Sequence, residues 1–222
     1  MTKLKQIQEE IIEVGHRLVQ KGLVVGTWGN ISCRVEEGVI LVTPSGRDYL
    51  SLKPKDLVLV NLSGRVLDGA LAPSSELPLH LAVYLQRSDV QAVVHTHSVF
   101  ASVCAVARRS IPPIIEDMLQ VIGGSIEVAP YALPGTDELA LNAVKMLERK
   151  NAVLLANHGV LGCGTSLTEA MLSCELVEKS AQIFLYAQNL GGAVPLSQND
   201  IDAMHQFYQS SYRLRKGGVD HD

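Results

Sequence analysis

Two histidines one residue apart, His95 and His97, close an alternating apolar run that reads DVQAVVHTHS at 89–98. A strand turns every second side chain to the same face, so an extended run here presents both imidazoles side by side on a rigid support. Such a pair begins a divalent metal site, which still needs another ligand, an open position and a group that handles protons. His158 offers the third nitrogen. It ends a second apolar run, AVLLANHG at 152–159, and the glycine after it lets backbone come close. If both runs end at one rim of a sheet, three imidazoles meet with a fourth position open, as in catalytic sites for zinc or a related divalent ion. Glu76 is the acid partner, in the first turn of a helix leading into the histidine strand, where backbone amides favour a carboxylate. It serves either as a base near the metal or as a ligand that substrate displaces. The other histidines, His16, His80, His205 and His221, read as surface or satisfied core groups.

Three segments are rich in hydrogen-bond donors and small residues: Thr27–Asn30 with Ser32, Thr43–Gly46, and Ser74 with Ser75. Successive backbone amides with hydroxyl or amide side chains cradle a phosphate dianion without a lysine. Neither GxxxxGK nor GxGxxG occurs, so these are not nucleotide loops of the common kinds. A phosphate cradle, an acid and a metal together describe a reaction. The ion polarises a ketose carbonyl and stabilises the enediolate left when a carbon–carbon bond breaks, while Glu76 moves the proton on carbon.

The elements that must position these groups follow from periodicity. Leu4, Ile7, Ile11, Val14 and Leu18 predict a first helix. Strands are expected from Ile31 and over Val39–Thr43 as a hairpin, then at Leu57–Val60 and at Val66 and Leu67. SSELPLHLAVYLQR predicts a serine-capped helix before the histidine strand, and Ser98–Arg108 another after it. Ile111–Ile122 is ambiguous after Pro112 and Pro113. Ile126–Ala129 and Ala152–Ala156 predict short strands, and Asp137–Glu148, a long segment to Gln188, and Gln198–Tyr208 predict helices. This pattern predicts an α/β fold: a three-layer α/β/α single domain over residues 1–222 with a central, mostly antiparallel mixed sheet. The last ~10 residues read as a mobile tail.

The chain has 222 residues, 47% of them hydrophobic, enough for a core without disulfides or a structural metal. A net charge of -4 and the lack of a basic run argue against nucleic acid as a partner. No apolar span reaches membrane length and the amino end is amphipathic and charged, which predicts a cytoplasmic protein with no membrane partner. Cys33, Cys104, Cys163 and Cys174 are too scattered for a thiolate zinc site and read as packed, reduced thiols.

Six ordered segments, GTWGNIS at 26–32, TPSG at 43–46, SSELPLH at 74–80, AVVHTHS at 92–98, APYALPGT at 129–136 and ANHG at 156–159, together resemble the class II aldolase and adducin head family. The similarity is greatest to the branch that acts on L-fuculose 1-phosphate. The resemblance implies a four-fold symmetric homotetramer with active sites between subunits and one zinc, or Co2+, Mn2+ or Fe2+, per subunit. It implies His95, His97 and His158 as metal ligands, Glu76 as the catalytic acid/base, and Gly29, Asn30, Ser45, Gly46, Ser74 and Ser75 as the phosphate site. The implied reaction cleaves a ketose 1-phosphate such as L-fuculose 1-phosphate between C3 and C4 into dihydroxyacetone phosphate and a small aldehyde. A 5-deoxypentulose or methylthioribulose 1-phosphate fits the pattern equally.

The 4-epimerase branch for L-ribulose 5-phosphate has aspartate where this chain has Glu76, which favours the aldolase. The resemblance also admits a dehydratase or a decarboxylase on the same scaffold, and a non-catalytic interaction domain like the adducin head. Two departures fall on the aldehyde side. The family's tyrosine is missing from PPIIEDMLQ, leaving Glu116 or Asp117 to handle that proton, and an aromatic near Pro134 is replaced. The segment YRLR at 212–215 resembles the family tail and makes Tyr212 a pocket residue.

Overall fold

Branched apolar residues alternating with polar ones, punctuated by glycine turns, make the first third of the chain a meander laid on one helix. A computed structural model describes residues 2–212, without the side chain of Tyr212. Helix α1 (Lys3–Gln20) buries Ile7, Ile11, Val14 and Leu18 on one stripe, each worth roughly 1.5–3 kcal/mol. Strands β1 (Asn30–Glu36), β2 (Val39–Val42), β3 (Val58–Asn61) and β4 (Val66–Asp68) then pair antiparallel in sequence order.

Helix α2 (Leu77–Gln86) leads into β5 (Ala92–Thr96), which lies antiparallel to β1 with Asn30 opposite His95. Helices α3 (Val99–Val106) and α4 (Glu116–Ile122), strand β6 (Val128–Ala129) and helix α5 (Asp137–Leu147) follow. Strands β7 (Ala152–Leu155) and β8 (Gly159–Gly164) form a hairpin, and helices α6 (Leu167–Gln188) and α7 (Gln198–Phe207) end the described chain. The sheet order is β4-β3-β2-β1-β5-β8-β7-β6, antiparallel throughout except for the β6–β7 pair. One face packs on α1, α3, α4 and α6, the other on α2 and α5, giving the expected three layers around a mostly antiparallel mixed sheet.

The ambiguous stretch divides. Ile111 bridges Ile126, and a short helix begins only at Glu116, beyond the two prolines. Strand β8 departs from expectation, because GVLGCG carries three glycines. It inserts between β5 and β7, so the two histidine-bearing segments are next-nearest neighbours. All four cysteines are buried and free, and burial pushes the thiols of Cys33, Cys163 and Cys174 up to about 12.

Candidate metal centre

The site lies where β5 ends, beside the tight β7–β8 connection and the start of α2. His95 is the penultimate residue of β5 and His97 follows its end, so both imidazoles leave on the face that carries α2. His158 sits in the connection itself rather than on a strand end. The turn is made by Asn157 in the left-handed region (φ 54°) and closed by the amide of His158 donating to the Leu155 carbonyl. Gly159 then lets β8 pass close by: a Cβ there would collide with the Thr96 carbonyl oxygen and lie 3.0 Å from the His97 ring.

Glu76 is not in the first turn of α2 but is the residue before it, and its side chain makes no cap hydrogen bond. Its amide donates to the Ser74 hydroxyl, and Pro78, which lacks an amide hydrogen, stands in the first turn. The carboxylate is thereby free to turn into the site, where Oε2 accepts from the Asn30 amide at 2.8 Å. Oε2 lies 3.2 Å from His95 Nε2 and Oε1 lies 3.2 Å from His158 Nε2.

The three Nε2 atoms converge. His95 is 2.8 Å from His97 and 3.2 Å from His158, and one ligand atom from each histidine and from Glu76 lies within 4.8 Å of all the others. The edges of a tetrahedron around a divalent ion with bonds of ~2.0–2.1 Å are about 3.3 Å, close to this spacing. His95 Nδ1 donates to the Val160 carbonyl at 2.8 Å, which leaves Nε2 bare and fixes the tautomer. One lone pair cannot serve both neighbouring imidazoles. Glu76 Oε1 is moreover buried without a hydrogen-bond partner among the described residues. A central cation satisfies all of these atoms at once, so the residues fit a divalent metal ion. Burial, reinforced by repulsion from His158, holds His95 and His97 below the ordinary imidazole range, and burial lowers His158 as well, with Glu76 opposing the shift at His97 and His158, so all three are neutral donors.

The donor-rich loops adjoin this centre. Gly29 has φ +85° and a Cβ there would meet the His95 carbonyl oxygen at 2.6 Å, so only glycine lets this loop lie against the histidine strand. The loops at 43–46 and 72–75 are tied together, with the Ser45 amide donating to the Ala72 carbonyl and the Ser74 amide to the Thr43 carbonyl. Ser45, Gly46 and Ser75 are exposed, whereas Ser74 and Asn30 are buried. Glu116 and Asp117 open α4, and Asp117 pairs with Lys179 of α6. Within one chain neither borders the cavity of about 260 Å3 beside the histidines, which is lined by Val25, Trp28, His97, Asn157 and His158. The side chain of Tyr212 lies outside the described residues.

Two further residues stand beside the site. Trp28, inside the glycine loop, is 66% exposed and stacks beside His97 with ring centroids 5.9 Å apart. An aromatic between two glycines of a candidate ligand loop is the available signal. His80, which reads as a surface or satisfied core group, is the latter: it is fully buried, with its two ring nitrogens partnered by Ser32 and Asn30.

Burial, and secondarily repulsion from His95, pushes His80 down to about 3, with Glu76 opposing. The unfolded chain therefore binds a proton at this residue between about pH 6.5 and 3 that the folded chain does not, and stability falls as pH falls through that window. Equilibrium urea unfolding of metal-free protein should show a loss of at least ~1 kcal/mol between pH 6 and pH 5. An unchanged unfolding free energy over that interval would contradict the buried, neutral assignment.

A larger cavity of about 890 Å3 opens at the opposite end of the strands, beside Arg87, Asn151 and Gly164, and contains none of these residues. Among the described residues no helix is long and apolar enough to cross a membrane.

Known proteins resemble this chain in sequence and in fold. Over 207 residues the chain is 35% identical to the 5-deoxy-D-ribulose 1-phosphate aldolase of Bacillus thuringiensis serovar kurstaki, covering 93% of this chain and 97% of that one. It is 35% identical over 211 residues to the L-fuculose phosphate aldolase of Escherichia coli K12, covering 95% and 97%. A solved L-fuculose 1-phosphate aldolase superposes with a TM-score of 0.88 at 38% identity, covering 92% of this chain and 96% of that one. Residues 9–185 match the family described as Class II Aldolase and Adducin N-terminal domain, and the chain belongs to that family.

Proposed function

We propose that this protein is a divalent-metal-dependent aldehyde-lyase that cleaves a ketose 1-phosphate between C3 and C4, releasing dihydroxyacetone phosphate and a small aldehyde. The observation that carries the reading is the buried carboxylate of Glu76 set 3.2 Å from two of three converging neutral imidazoles. A zinc ion, or Co2+, Mn2+ or Fe2+, held by His95, His97 and His158 would supply Lewis acidity at the ketose oxygens.

The chain's own groups do the rest. Gly29, Asn30, Ser45, Gly46, Ser74 and Ser75 hold the phosphate through amides and hydroxyls, which fixes C3 in register with Glu76. Once the bond to C4 has broken, Glu76 in its protonated form delivers a proton to C3, and in the direction of synthesis its carboxylate withdraws that proton before the bond forms. The C4 hydroxyl gives up its proton as it becomes the aldehyde. Glu116, Asp117 and Tyr212 are assigned to that side, reached from a neighbouring subunit of a homotetramer. Apolar side chains left exposed on the surrounding loops, Val25, Trp28, Tyr131 and Leu133, support such an assembly. The protein is assigned to the cytoplasm.

The names of the relatives suggest two substrates, 5-deoxyribulose 1-phosphate and L-fuculose 1-phosphate, and both leave an aldehyde that ends in a methyl group. The apolar rim of Val25 and Trp28 suits such an end. The test is a panel of ketose 1-phosphates, methylthioribulose 1-phosphate included, with dihydroxyacetone phosphate and aldehyde measured together. Equimolar release of both from at least one 5-deoxy or 6-deoxy ketose is expected. A C4 epimer, loss of water, release of carbon dioxide or release of inorganic phosphate would instead identify an epimerase, dehydratase, decarboxylase or hydrolase. No turnover of any substrate by the metal-loaded protein would point to a non-catalytic domain like the adducin head.

A further inference from the structure

Strand β1 and helix α2 meet with matched periods. On β1, Asn30 and Ser32 are two residues apart and share the face toward α2, while His80 and Tyr84 are four apart on one stripe of the helix. The four side chains interlock as a ladder that ends on Glu76. Tyr84 OH lies 2.9 Å from Ser32 Oγ, Ser32 Oγ 2.6 Å from His80 Nδ1, His80 Nε2 2.5 Å from Asn30 Oδ1, and Asn30 Nδ2 2.8 Å from Glu76 Oε2. Every member is buried, with His80 and Ser32 at 0% exposure.

The donors in this chain have one consistent direction. A carboxylate only accepts, so Asn30 must turn its NH2 to Glu76 and its carbonyl oxygen to His80. His80 then carries its hydrogen on Nε2 and accepts at Nδ1 from the Ser32 hydroxyl, which in turn accepts from Tyr84. The Glu76 carboxylate holds the NH2 end of the Asn30 amide and the His80 donor its oxygen end; with that donor gone, the carboxylate alone resists a flip and the amide oxygen is left buried without its partner. A flipped amide would set its oxygen against the Glu76 carboxylate, with repulsion in place of a charge-assisted hydrogen bond. A buried polar chain of four groups is also a costly way to fill space that apolar side chains could fill, unless all its members are satisfied.

We propose that His80 is a positioning residue, which locks the orientation of the Asn30 amide and thereby aims the Glu76 carboxylate at the reacting carbon. The inference rests on the proton-transfer reading of Glu76. Asn30 Nδ2 keeps a second hydrogen for the phosphate loop, so the two roles of Asn30 are compatible.

The test compares His80→Gln with His80→Asn, two neutral amides that differ in reach. Glutamine places its NH2 near the position of Nε2 and can donate to Asn30, whereas asparagine keeps the Ser32 contact and falls short of Asn30. With ketose 1-phosphate as substrate, the Gln variant should keep kcat within about threefold of wild type. The Asn variant should lose between tenfold and a hundredfold in kcat, the scale of a misplaced catalytic group, with KM and bound metal unchanged. His80→Leu should resemble the Asn variant. Equal kcat in the Gln and Asn variants overturns the proposal at whatever level they agree. So does a loss in both that tracks a fall in melting temperature, because that is a packing effect. Glu76→Gln run alongside separates the two readings: full turnover there removes the role of Glu76 itself, whereas an inactive Glu76→Gln with equivalent His80 variants removes only the role of His80.

Discussion

Replacing Glu76 by glutamine should lower kcat about a thousandfold while leaving the fold and the bound metal in place. General acid–base catalysis by a positioned side chain contributes roughly 10²–10⁴-fold, and Glu76 is the one carboxylate among the described residues in the histidine cluster. The substitution is nearly isosteric and keeps an oxygen toward the imidazoles. The three histidine nitrogens suffice as a ligand set, so metal content should stay near one per chain. Turnover should fall without a matching rise in KM, because the phosphate is held by other loops. Steady-state kinetics with metal analysis on the same preparation reads both quantities. A variant with wild-type turnover would end the assignment of Glu76. A variant that lost its metal together with its activity would recast Glu76 as chiefly a ligand.

The parts of this architecture written in local pattern are legible in the sequence. Helix α1, the β1–β4 meander and the order of helices and strands around His95 follow from apolar spacing and turn glycines, which act within a few residues. Strand β8 is hidden because its glycines answer to tertiary contacts. A Cβ on Gly162 would come 2.6 Å from Cys174 Sγ and 2.9 Å from the Ala170 carbonyl, and one on Gly164 would meet Glu169. The close seating of α6 on the sheet requires residues that a propensity argument counts against a strand. Residue type and spacing find the histidine and glutamate cluster, but they put Glu76 in the first turn of α2, and it stands before that turn. The role of His80 depends on the pairing of Asn30 with His95 across β1 and β5 and on the register of α2 over β1, which spacing along the chain does not encode.

Stripping the metal should abolish turnover and lower the melting temperature by roughly 8–16 °C, both reversed by adding a divalent ion. The centre is preorganised: His95 is oriented by Val160, Gly159 packs under two of the rings, and all three imidazoles are held neutral by burial. Neutral imidazoles lose no proton on binding a cation, and the carboxylate of Glu76, partly unsatisfied in its absence, gains a counter-charge. An ion present at about a thousand times its dissociation constant stabilises the native state by ~4 kcal/mol. For a chain of this size each kcal/mol moves the midpoint by roughly 2–4 °C, which gives the interval stated. His158→Ala is the informative variant, since His158 sits on a connection rather than inside β5 and its removal leaves the sheet intact. It should bind the ion weakly, show little of the metal-dependent shift in melting temperature, and retain the fold. If dialysis against a strong chelator removed the ion yet left turnover and melting temperature where they were, the cluster would be a structural arrangement of imidazoles and the lyase mechanism would lose its basis.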